Sequence, residues 1–164
     1  MTFTTANRDA DDERWLREAV RLATENVVAG GGPFGALVVR DGVVLGRGQN
    51  RVTRDKDPTA HAEIQAIRAA CRAIDDFSLA GATVYSSCEP CPLCLTACLW
   101  SRAARVMYAA DRDDAARAGF DDRAFYDLLA RDRSTWPMPV TERRVDGCEA
   151  PMNAWLALAD RATY

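Results

Sequence analysis

From Asp12 onward the apolar residues Trp15, Leu16, Ala19, Val20, Ala23 and Val27 recur at helical spacing, and Gly30 to Gly32 end the run. Residues 1–10 are polar, which predicts a flexible N-terminus ahead of a single domain over residues 11–164. The period then changes. Phe34 to Arg40 and Val43 to Arg47 are rich in Leu and Val and flank Asp41-Gly42, a pair that predicts a tight hairpin. A polar loop from Gln49 to Asp57 leads to Pro58, read as the first residue of a helix capped by Asp57, with Ile64, Ile67 and Ala70 on its apolar face.

Ala82 to Ser86 reads as a buried strand, Pro90 opens a helix that reaches Trp100, and Arg105 to Ala109 reads as the next strand. Gly119 separates two short helical stretches, the second running from Asp122 to Arg131. Trp136-Pro137-Met138-Pro139 predicts a turn, Val140 to Val145 a last strand, and Pro151 to Ala162 a closing helix. A hairpin followed by alternating units predicts an α/β fold with one mixed sheet and helices on both faces.

The length of 164 residues suits one domain, and 48% hydrophobic with 27% charged residues is a globular composition. No run approaches the roughly 20 apolar residues of a membrane helix. The opening MTFTTANRDA has neither a basic start nor an apolar stretch, so a cytoplasmic location is expected. A net charge of -3, with no basic block, announces no nucleic-acid partner.

In such a compartment the six cysteines read as metal ligands, reactive thiols or core residues rather than disulfides. Cys88, Cys91, Cys94 and Cys98 crowd together, while Cys71 and Cys148 stand apart, and His61 is the sole histidine. Cys91 and Cys94, three apart, are expected to share a helix face, and a helix N-terminus favours their thiolates. One imidazole and two thiolates suit zinc (Zn2+) with a fourth position left for water, the arrangement of a catalytic site. Zinc brings the pKa of such a water to about 7, and Glu63 is placed to carry its proton to a departing amine. Residues two apart do not share a helix face, so His61 and Glu63 converge only if they lie at the very start of their helix.

Read one by one, these residues have plainer uses. A lone His in an Ala-rich helix fits a core, and a lone Cys-x-x-Cys fits redox chemistry or packing. The four clustered cysteines also match an iron–sulfur spacing. That pattern continues with Pro where this chain has Leu99, and it leaves His61 and Glu63 unexplained. Cys88 and Cys98 are then small buried residues.

His61-x-Glu63, followed by Pro90-Cys91-x-x-Cys94, resembles the zinc signature of the cytidine deaminase superfamily. With residues 32–36, 57–64, 86–95, 108–110 and 118–122, and the terminal Tyr164, the chain resembles the bacterial guanine deaminase branch from about residue 14 to its end. The resemblance implies a three-layer α/β/α fold around a five-stranded sheet, zinc on His61, Cys91 and Cys94, and Glu63 as proton shuttle. It further implies that Asn50, Ala62 and Asp122 contact a base, that Phe34 and Trp100 wall the pocket, and that a swapped C-terminal segment brings Tyr164 to the partner's pocket in a homodimer. Without it, Asn50 is a loop residue, Asp122 a helix cap, and Phe34 and Trp100 core.

The activity so implied is hydrolysis of guanine at C2 to xanthine and ammonia. A nucleoside deaminase acting on guanosine or cytidine would use the same centre. Editing of adenosine in tRNA lacks a basic tail, and a zinc-stabilised binding module would unfold on chelation.

Overall fold

The computed structural model describes residues 5–120 and 122–163, with side chains from Asp9 onward. Helix α1 (Thr5–Val28) begins earlier than its apolar stripe, so the expected flexible segment is helical from Thr5. No glycine or proline falls between Thr5 and Val28 to stop it. Its C-terminus is a Schellman turn: Gly30, at φ 80°, donates to Val27 O at 2.9 Å, and Gly31 to Asn26 O at 2.8 Å.

Strands β1 (Gly35–Arg40) and β2 (Val43–Gln49) form the predicted hairpin. Asp41 and Gly42 both take positive φ, 52° and 75°, as a primed two-residue turn requires. A short α2 (Val52–Asp55) and α3 (Ala62–Ile74) follow, then β3 (Thr83–Cys88), α4 (Pro92–Trp100) and β4 (Arg105–Ala110). The sheet order is β2-β1-β3-β4, antiparallel except for β3 beside β4, so the sheet is mixed.

Strand periodicity sorts the core into two layers. Leu37, Val39 and Tyr85 point to one face and pack on Trp15, Ala19 and Leu22 of α1. Their neighbours Ala36, Val38 and Val84 point to the other and pack on Ala62, Ala66 and Ala70 of α3 and on Cys98 of α4. Asp12 of α1 accepts hydrogen bonds from Tyr85 and, at 2.6 Å, from Arg105, which ties the helix to β3 and β4.

Helix α3 lies unusually close to β2. A methyl group on Gly48 would sit 2.0 Å from Ala62 O, and one on Gly46 would sit 2.5 Å from Ala66 O and Ala70 N. Both obstacles are main chain, so glycine is what permits the contact.

Three expectations need correction. Pro58 does not open α3. Asp57 Oδ1 instead accepts from Thr59 N at 2.8 Å and Thr59 Oγ1 at 2.7 Å, a local turn that delays the helix to Ala62. Helix α4 likewise starts at Pro92, not Pro90. The sheet of the described residues has four strands, not five, because Val140 to Val145 forms no strand. Between those two valines the chain reads Thr-Glu-Arg-Arg, and both valines are exposed, so the segment has no apolar face to bury.

Two compact units result, Met1–Tyr126 and Asp127–Tyr164. In the first, α5 (Arg112–Arg117) is closed by a capping box between Asp111 and Asp114, and α6 (Arg123–Leu129) starts near the unit's end. The second holds a 3-10 turn at Arg133–Thr135, capped by Asp132, and α7 (Ala150–Ala157), preceded by an Arg144–Glu149 ion pair at 2.6 Å. No helix among the described residues is long and apolar enough to cross a membrane.

Candidate active site

His61 and Cys91 occupy equivalent places. Each is the N-cap of its helix, with φ/ψ of -68°/156° for His61 and -64°/168° for Cys91. His61 is therefore outside α3, and Glu63 is that helix's second residue. This resolves how two residues two apart reach one point. Cys91 and Cys94 meet as a cap and a third helical residue, the pairing a capping box uses, rather than as neighbours on one helix face.

The two helix starts face each other across the end of β3. His61 Nδ1 lies 3.5 Å from Cys91 Sγ and 3.4 Å from Cys94 Sγ, and the three atoms fall within 4.8 Å of one another. Tetrahedral zinc, with bonds of about 2.3 Å to sulfur and about 2.0 Å to nitrogen, places S and N roughly 3.5 Å apart. The donor set fits zinc in both chemistry and spacing. Among the described residues it is the one His/Cys/carboxylate group so arranged, and Cys88 and Cys98 are not in it. Both are buried, and burial pushes their thiols up, to about 11 and about 12, so they stay neutral. The iron–sulfur alternative fails on that placement.

Charge in the cluster is already polarised. The Cys94 thiol hydrogen-bonds to Cys91, and with His61 alongside this pulls Cys91 down to about 4, a thiolate. The same bond raises Cys94, and the Cys91 sulfur raises His61. Glu63 is 5% exposed, and burial raises its carboxyl above the ordinary range. Its Oε2 is 3.3 Å from Cys94 Sγ, while Oε1 accepts from the fully buried Ser86 hydroxyl at 2.8 Å.

Sequence reading passed over Ser86, which looked like one more residue of a buried strand. The hydroxyl fixes one carboxylate oxygen and so aims the other at the ligand cluster. Ser86→Ala is expected to keep zinc but to lower kcat on the order of 10-fold, since Oε1 is left buried without a donor. Steady-state kinetics with zinc quantification checks this, and an unchanged kcat refutes it.

These groups open into a cavity of about 440 Å³ that also takes in Phe34, Asn50, Asp122 and Phe125. Phe34 and Phe120 meet edge to face, with centroids 4.9 Å apart and planes at 81°. Phe120 and Phe125 are further wall residues that the apolar pattern alone did not single out. Asn50 Oδ1 accepts from Val52 N at 3.2 Å. Because that partner is a donor, the amide's orientation is fixed, and among the described residues no hydrogen bond takes up Nδ2. Asn50 therefore presents a donor to the cavity and Asp122 a carboxylate.

Behind Cys91, Arg112 pairs with Glu89 at 2.9 Å and stacks 3.8 Å over Tyr126, whose hydroxyl donates to Pro90 O at 2.6 Å. That network holds the strand-to-helix turn that carries the ligand.

Other expected contacts fall elsewhere. Ala62 is fully buried, its methyl in the core beneath the sheet, and it does not line this cavity. Trp100 ends α4 and does not line this cavity: six residues of helix carry it roughly 9 Å beyond Cys94. The residue is 57% exposed, with the Arg102 guanidinium 6.0 Å from its ring. Tyr164 lies outside the described residues.

The family model for the cytidine and deoxycytidylate deaminase zinc-binding region matches residues 9–110. Guanine deaminase of Bacillus subtilis is 44% identical over 153 residues, 93% of this chain and 98% of that protein. Its crystal structure matches with a TM-score of 0.89 at the same coverage. The tRNA-specific adenosine deaminase of Aquifex aeolicus is 39% identical over 60% of this chain and 65% of its own. A crystal structure of NE0047 in complex with 2,6-diaminopurine is 33% identical, with a TM-score of 0.65 over 68% of this chain and 62% of that one. The mixed sheet and its flanking helices are a cytidine deaminase-like α/β fold, and the chain belongs to the cytidine and deoxycytidylate deaminase zinc-binding family.

Proposed function

We propose that this protein is a zinc-dependent aminohydrolase that converts guanine and water to xanthine and ammonia. The observation that carries the reading is one cavity in which the ligand triad and Glu63 stand beside aromatic walls, a fixed amide donor and a carboxylate. A purine base offers two apolar ring faces, acceptor atoms and ring N–H groups to match. Likeness to guanine deaminase along almost the whole chain selects guanine from that class.

His61, Cys91 and Cys94 would hold zinc, which when bound would supply an activated water near neutral pH. Phe34 and Phe120 hold the base in an apolar slot that keeps bulk water away. Asn50 Nδ2 donates to an acceptor on the base, and Asp122 accepts from a ring or amine N–H. Glu63 Oε2 takes a proton from the attacking water and delivers it to the departing amine nitrogen, while Ser86 holds Oε1 in place. Burial raises the Glu63 carboxyl, which suits a group that must both take and give a proton.

The reading includes a homodimer, because α4 keeps Leu93, Leu99 and Trp100 exposed on the surface. In it Trp100 and a swapped Tyr164 approach the partner's cavity. It also places the enzyme in the cytoplasm, whose reducing conditions keep six free cysteines, two of them ligands, as thiols.

Ammonia release by the zinc-loaded protein, measured side by side with guanine, guanosine, cytosine, cytidine and adenine, tests the proposal. Guanine is expected to stand well above the rest. Preference for a nucleoside would retain the chemistry and overturn the base assignment.

A further inference from the structure

Asn26 is a polar residue in the apolar reach of α1, near its end, and its side chain is fully buried. Asparagine is a poor helix former, and a buried amide is costly unless its hydrogen bonds are met. Here they are all met. Nδ2 donates to Gly32 O and to Asn50 O, both at 2.7 Å, and Oδ1 accepts from the Arg54 guanidinium. The donors and acceptors leave one orientation for the amide.

The two carbonyls belong to neighbouring segments at one end of the β1–β2 hairpin. Gly32 is in the loop between α1 and β1, and Asn50 follows β2; both line the cavity. The loop is moulded around the amide: a methyl on Gly31 would fall 2.5 Å from the Asn26 side chain, and one on Gly32 would fall 3.0 Å from Asn50 Oδ1. Asn50 N donates to Phe34 O at 3.0 Å, so the aromatic wall is joined to the same assembly. None of these bonds reaches Glu63 or the ligand cluster.

We propose that Asn26, anchored by Arg54, is a positioning residue that holds the loop before β1 against Asn50 and thereby sets the affinity for the base. This deepens the base-deaminase reading and rests on it. Asn26 acts through Asn50, Phe34 and the glycine loop, so its loss weakens binding of ground state and transition state alike, which raises KM and spares kcat.

The decisive variant is Asn26→Asp. It preserves shape and the Arg54 contact but turns both donations into oxygen facing oxygen. In the zinc-loaded full chain, KM for guanine is expected to rise on the order of 10-fold or more, with kcat and zinc content held near wild type. Amide hydrogen exchange, which needs no substrate, is expected to speed up over residues 30–34 and 50–53 and not in β3. Unchanged KM in a folded variant overturns the proposal, as does a fall in kcat at constant KM. If Asn26→Asp fails to fold, Arg54→Met replaces it: this side chain is exposed, and its loss frees the amide without burying a charge. A wild type inactive on guanine sinks the functional reading alone. The exchange pattern then still decides the clamp, which faster local exchange upholds and unchanged exchange refutes.

Discussion

Glu63→Gln is expected to lower turnover of guanine by about 10²- to 10⁴-fold, the range for removal of a general acid–base, with zinc still bound. The substitution is close to isosteric. The glutamine carbonyl can still accept from the Ser86 hydroxyl, so the side chain keeps its anchor. What it loses is the capacity to take a proton on one oxygen and release it to nitrogen. Thermal stability should not fall, because a buried carboxyl becomes a neutral amide in the same space. Steady-state kinetics, zinc quantification and a melting curve on one preparation check all three. Turnover near wild type would remove Glu63 from the chemistry.

Removal of zinc is expected to abolish turnover and to leave the protein folded. His61→Ala, Cys91→Ala and Cys94→Ala should each do the same permanently, while re-addition of zinc restores the chelated wild type. The packing supports this separation. The two buried layers around β1 are built mainly from apolar side chains of α1, α3 and the sheet, with Cys98 of α4, and no ligand side chain belongs to either. A structural zinc would contribute folding energy directly, and its removal would unfold the chain. Circular dichroism before and after chelation, beside an ammonia assay, distinguishes the cases. Loss of secondary structure on chelation would recast the site as a structural staple.

Legibility in the sequence followed how local each feature's physics is. Asp41-Gly42 announced its hairpin because both residues must take positive φ, a demand few dipeptides meet. His61, Cys91 and Cys94 were visible because ligand chemistry and spacing are written in residue types. Their placement as N-caps was not, since Pro58 and Pro90 looked like helix openers and the turn at Asp57 competes for the same residues. Asn26 and Ser86 escaped notice for another reason. Each is a single polar residue inside an apolar period, and its partners lie 24 and 23 residues away at Asn50 and Glu63. The strand expected at residues 140–145 shows the opposite failure: a valine at each end suggested a sheet, but the charges between them leave nothing to bury.

The seating of α3 on Gly46 and Gly48 bears on how this scaffold can be redesigned. Main chain meets main chain there, so the helix that His61 caps and that bears Glu63 has almost no room to shift. The residues proposed to meet the base sit instead on loops and the helix starts that follow them: Gly30 to Phe34, Asn50 with the first turn of α2, and Phe120 and Asp122 with Phe125 of α6. Libraries aimed at new aminated heterocycles should vary those loops and leave the β2–α3 contact untouched, so that a variant can exchange its substrate while it inherits the reaction intact.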